Sequence, residues 1–192
     1  MAPGEAEDML PTFFPLRKTV ALLLLLVFCI SANGCKVSQE TCPGAVVIEG
    51  DGVETPTSFT LEELKSMKEG LVEANYFSIN SYGTREYFHF KGVWVWHLVK
   101  EKVKLKDNAA KVSFIAADGY TVEFTLDDVK KEDYIAEGNP EAKYKMILAW
   151  EEEGQEFNSD EGYPFQLVVG QREPGDVNKP YWVRNVKTIR ID

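Results

Sequence analysis

Residues 83–126 read GTREYFHFKGVWVWHLVKEKVKLKDNAAKVSFIAADGYTVEFTL, and the fold class turns on them. Residues 85–90 read REYFHF, and in a strand Phe88 and Phe90 share one face and Tyr87 and His89 the other. A Gly92-Val93 step then opens a short amphipathic helix, Trp94 to Val103, with Leu98 and Val99 inward. Val112, Phe114 and Ile115 run up to Asp118-Gly119, and Tyr120, Val122 and Phe124 return. Asp-Gly between alternating apolar runs predicts a tight hairpin with φ > 0 at both central residues. This hairpin is expected at the centre of a sheet.

Upstream, Thr60 and Glu63 are spaced as a capping box, with Phe59 and Leu64 placed to form a hydrophobic staple and Gly70 to stop the helix. The patch Ala45-Val46-Val47-Ile48 predicts a first strand, and Glu73 to Ile79 an edge-like strand ending in the polar turn Asn80-Ser81-Tyr82-Gly83. Downstream, Thr125 to Asp128 opens a second capped turn. Residues 131–143, with Gly138-Asn139-Pro140, read as a loop. Tyr144 to Trp150 predicts a strand, Glu151 to Gly154 a turn, Gln155 to Phe157 a return, Tyr163 to Val169 a buried strand, 170–180 a surface loop, and Val186 to Ile191 the last strand. There are no internal repeats. About eight to ten strands with three short helices make the class α+β, with β dominating.

The chain has 192 residues, 44% of them hydrophobic, which suffices for a packed core. A formal net charge of −10 repels nucleic acid and anionic headgroups, so neither is an expected partner of the domain. An anionic small ligand would need a locally basic pocket. The two histidines, His89 and His97, have no partner at metal-ligand spacing and read as structural or surface residues. Asp127-Asp128 fits first-turn charge and Glu151-Glu152-Glu153 a solvated turn. No nucleophile elbow, P-loop, dinucleotide fingerprint or CxxC pair is present.

Residues 1–34 carry an export pattern: Arg17-Lys18, an apolar run from Val20 to Ile30, then Ser31-Ala32-Asn33-Gly34. The run is about half the ~20 residues of a spanning helix. Gly34-Cys35 resembles a bacterial lipoprotein junction, which would make Cys35 a lipid anchor to the membrane. Cys35 left free, or paired with Cys42 in an oxidising compartment, are the other readings. Residues 35–56 then form a tether and the first strand, and 57–192 the domain, in an extracytoplasmic location.

The order of pieces is informative: Phe59-Thr60-Leu61-Glu62-Glu63-Leu64; Phe90-Lys91-Gly92-Val93 and a helix; Ala117-Asp118-Gly119-Tyr120; Ile147-Leu148-Ala149-Trp150 with Glu153-Gly154; Gly162 to Val169 as GYPFQLVV; then Trp182-Val183 and a terminal strand. This ordered set resembles the oxidoreductase molybdopterin-binding domain, the central domain of the sulfite oxidase family and its small bacterial relatives. The resemblance implies a β-rich mixed-sheet fold of sulfite oxidase type and a molybdopterin cofactor. It also implies a protein cysteine bound to molybdenum, on the segment before the Gly-Val step. Here that segment is Tyr76 to Tyr82 and holds no cysteine; Ser78 or Asn80 stands in the corresponding region. A serine hydroxyl is a poor substitute for a soft thiolate. Of the basic residues that grip the pterin phosphate in the family, Arg172, Lys179 and Arg184 are the candidates here. The cofactor is inserted into folded protein, whose export needs a twin-arginine signal, and Arg17-Lys18 is not one.

The expectation from these features is a non-catalytic member with no metal site. It would hold a small ligand or a redox protein partner in a cleft made by Ser78, Asn80, Tyr82, Tyr120, Arg172 and Lys179. The alternatives are a molybdopterin oxidoreductase with a non-cysteine ligand, and a structural surface lipoprotein.

Overall fold

Twelve strands and three short α-helices make up the described residues, 44–158 and 162–192, of a computed structural model. The expected export segment 1–34, Cys35, Cys42 and the expected tether up to residue 43 lie outside them. One five-stranded sheet has the order β2 (Thr57–Phe59), β1 (Val46–Glu49), β12 (Val186–Ile191), β5 (Lys111–Ala116), β6 (Thr121–Thr125). Its β1–β12 pair is parallel and the rest antiparallel. A second sheet runs β10 (Gln155–Glu156), β9 (Ile147–Glu152), β4 (Arg85–Trp94), β3 (Leu71–Ile79), with β11 (Gln166–Val168) also on β9. The three helices are α1 (Leu61–Lys65), α2 (Val95–Lys102) and α3 (Leu126–Lys130).

One core draws on both sheets. Val122 and Phe124 of β6 alternate with exposed Thr121, Glu123 and Thr125, as a half-solvated strand must. In β9, Ile147 to Trp150 are all buried, because both faces of that strand are covered. The expected α+β class with β dominating is the one observed.

Several local expectations differ from the structure. The Asp-Gly hairpin is β5–β6, and β6 is an edge strand: the C-terminal β12 inserts between β1 and β5 and takes the centre. Only Gly119 of its turn has positive φ, at 91°. The Gly119 N–H donates to Ala116 O, and Tyr120 N–H to Asp118 Oδ1, so a longer loop with an Asx turn replaces the two-residue turn. Helix α1 stops at Ser66, whose hydroxyl donates to Glu63 O, and a 3-10 turn covers Lys68–Gly70. Residues 134–144 form a two-stranded sheet, β7 (Tyr134–Ala136) and β8 (Asn139–Tyr144), instead of a loop. Pro140 is tolerated because β8 is an edge strand. The predicted strand from Tyr144 is broken where Lys145 O accepts from Tyr76 Oη and Met146 O from Val95 N. Within 170–180, read as a surface loop, Gln171 and Asn178 are fully buried.

The helix starts agree with the sequence. Thr60 and Glu63 form a reciprocal capping box, and so do Thr125 and Asp128. Burial alone would push the Asp128 carboxyl up. Hydrogen bonds from the Thr125 hydroxyl and backbone, and then Lys131, outweigh that and hold it below its ordinary 3.8. A folded value below the unfolded one contributes stability at higher pH that is lost as pH falls through the folded value. Thr125→Ala is therefore expected to cost about 1 kcal/mol at neutral pH. In urea titrations repeated at successively lower pH, its gap to wild type should narrow as the Asp128 carboxyl becomes protonated. An unchanged gap would rule the carboxylate out as the partner that matters.

Candidate functional site

Asn178 organises the end of β3. It is 0% exposed. Its Oδ1 accepts from Ile79 N at 2.9 Å, and its Nδ2 donates to Phe77 O and Val169 O, both at 2.9 Å. The carboxamide thus serves β3 as a neighbouring strand would, on the edge away from β4. Ser78 lies between the two clamped residues and is 2% exposed.

Asn80 follows in the turn, where its Oδ1 accepts from Tyr82 N and Thr84 N, each at 2.9 Å. Tyr82 is 95% exposed at the loop tip. Tyr120, Arg172 and Lys179 converge on the segment from Lys179 to Trp182. Tyr120 Oη donates to Pro180 O at 2.9 Å, and the Arg172 guanidinium lies 4.8 Å from the Tyr181 ring centroid. Lys179 Nζ sits 3.7 Å from the Phe88 and 4.1 Å from the Trp182 ring centroids. Burial pushes the Lys179 pKa down, countered in part by the carboxylates of Glu152 and Glu86 and reinforced by Arg184. The ring faces attract the ammonium and hold it against the protein's own surface. Of the six predicted residues, then, three gather on one segment. Ser78 and Asn80 flank Ile79, whose N–H donates to Asn178, the residue before that segment, and Tyr82 stands apart.

The best-formed cavity is elsewhere, at about 160 Å³, and none of the six lines it. Phe157, Asn158, Tyr163, Phe165, Gln166, Arg184 and Asn185 form its walls. Strand β11 brings Gln166 there, opposite Ala149 of β9, with a bridge to Arg184 on its other side. Gln166 is 2% exposed, and its Oε1 has no hydrogen-bond partner. Arg184 Nη2 lies 3.5 Å from Glu152 Oε2, and Asn185 adopts φ 53°. Sequence reasoning missed this cavity, although Arg184 was a candidate cation. The available signal was a lone amide, Gln166, inside the apolar run from Phe165 to Val169.

The histidines have local roles. His89 Nδ1 is 2.8 Å from Asn75 Oδ1, and its Nε2 is 3.2 Å from Glu73 Oε1. The His97 ring packs over Gly70, where an added Cβ would come within 2.3 Å of it. Among the described residues no three His, Cys, Asp or Glu side chains cluster as metal ligands would.

Residues 44–190 match the family model of the oxidoreductase molybdopterin binding domain. Among solved structures, the chain is similar to the crystal structure of the sulfane dehydrogenase SoxCD from Paracoccus pantotrophus, with 19% identity and a TM-score of 0.56. That likeness covers 77% of this chain and 37% of the SoxCD chain, and it bears on the fold, in agreement with the sulfite oxidase-type architecture expected from the sequence. Among curated proteins none matches the chain.

Proposed function

The chain belongs to the oxidoreductase molybdopterin binding domain family, and from that premise we propose that it is a non-catalytic member, exported and tethered by Cys35, which binds a small ligand or a redox protein partner. The carrying observation is Ser78. In the segment where the family's resemblance puts a ligating cysteine, this chain has a serine that is 2% exposed and locked between two residues clamped by Asn178. A serine hydroxyl in that place is a hard donor and a poor substitute for a soft thiolate.

Two further observations support the reading. The cysteines of the chain, Cys29, Cys35 and Cys42, all precede residue 44, where the family match starts. Of the three candidate cations for a phosphate, Arg172 and Lys179 lie against Tyr181, Phe88 and Trp182, and Arg184 lies apart, beside Glu152. This donor set does not fit a pterin-held molybdenum.

Metal analysis of the protein purified from its native membranes tests the proposal. Molybdenum far below one atom per chain, in a protein that needs detergent for release, is expected. Stoichiometric molybdenum would overturn the non-catalytic reading, and release by salt alone would overturn the lipid tether.

A further inference from the structure

The cavity beside β11 has a chemistry of its own. We infer that it takes a planar, one-ring ligand with an O–H or N–H donor at one end and an anionic substituent at the other, such as a hydroxylated aromatic carboxylate. The inference rests on the binding-module reading and names its ligand class.

Gln166 carries the argument. It sits among Phe165, Leu167 and Val168, all buried, and its own Oε1 is buried with no donor. Native proteins rarely leave such an acceptor unpaired, because it has given up water and gained nothing. The terminal torsion of a glutamine is soft, so rotation about it turns the oxygen into the cavity the side chain lines. A ligand hydroxyl or ring N–H arriving there supplies the missing donor.

Size and shape narrow the class. The volume of about 160 Å³ is close to that of an engineered apolar cavity, roughly 150 Å³, that holds one benzene. One ring fits and a fused pterin does not. Phe157, Tyr163 and Phe165 supply aromatic walls, against which a planar ring packs. Charge sets the orientation. The Arg184 side chain is 70% exposed and only loosely held by Glu152 at 3.5 Å, so its guanidinium is available at the rim. A carboxylate there competes with Glu152 for a planar fork suited to either. Asn185, next along the chain, holds left-handed backbone at φ 53°, a conformation non-glycine residues adopt at a cost.

Calorimetric titration of the full-length protein with 4-hydroxybenzoate, benzoate and phenol tests this. One saturable site is expected, with 4-hydroxybenzoate about tenfold tighter than benzoate, which lacks the donor, and than phenol, which lacks the anion. In Gln166→Leu the preference over benzoate should vanish while benzoate still binds. In Arg184→Leu the preference over phenol should vanish. Without ligand, Gln166→Leu should melt at or above wild type, since the unpaired acceptor is gone. Equal affinities of 4-hydroxybenzoate and benzoate for wild type would mean that water already satisfies Gln166, and would overturn the inference, as would the absence of saturable binding by all three. The wild-type ratio decides even if Gln166→Leu fails to fold. Metal content plays no part in these readouts, so this inference and the non-catalytic reading fail separately.

Discussion

Asn178→Ala is expected to lose about 4 kcal/mol of stability in urea titration. The side chain satisfies three backbone groups in a site with no access to water: Ile79 N–H, Phe77 C=O and Val169 C=O. Alanine leaves the first two without partners. Val169 O keeps the indole N–H of Trp182 at 2.9 Å. Two orphaned buried groups at about 1–3 kcal/mol each give the expected range. For a domain of this size, that is a fall in melting temperature of about 10 °C. Trp182→Phe makes the contrast, because Val169 O then keeps Asn178 as its donor, and a loss nearer 1 kcal/mol is expected from the hydrogen bond. If Asn178→Ala costs no more than that, the end of β3 reaches solvent and the enclosure of Ser78 is not real. The functional reading would lose its main support with it.

Gly92→Ala should be about as damaging, for a different reason. Gly92 pairs with Ala149 beside an irregularity in the β4–β9 ladder. A Cβ at Gly92 would lie 2.4 Å from Leu148 O and 2.6 Å from Ala149 Cα. Both atoms are backbone of β9, which is also held by β10 and β11, so neither can step aside alone. The strands must part or the register must shift, at about 3 kcal/mol or more. Gly83→Ala separates crowding from backbone strain. Its φ is +80° but nothing lies within 4 Å of an added Cβ, so only the left-handed penalty of about 1–2 kcal/mol applies. Equal losses for the two variants would show that Gly92 is not a contact point. The measurement is again a pair of urea curves read at constant slope.

The sequence determined features whose cause is local. The two capping boxes are spelled by Thr60 and Glu63 and by Thr125 and Asp128, because a hydroxyl and a carboxylate three residues apart reach each other's backbone N–H within one turn. The Glu153-Gly154 turn is spelled by its glycine, and both residues have positive φ. The last strand, Val186 to Ile191, is signalled by its β-branched residues Val186, Thr188, Ile189 and Ile191. That no cysteine follows Cys42 was also legible, since it needs no tertiary structure to see.

Tertiary structure alone decided which strand lies beside which, and therefore which polar groups lost their water. Nothing near Asp118-Gly119 says that β12 will return to the middle of the sheet and leave β6 at its edge. Asn178 looks like any loop asparagine until the end of β3 arrives, 99 residues earlier in the chain, and needs a partner for its backbone. Gln166 becomes a cavity wall only once β11 has docked on β9. Hydrogen bonds within a turn are set by neighbours in the chain, whereas burial is set by neighbours in space, and a linear pattern carries the first and not the second.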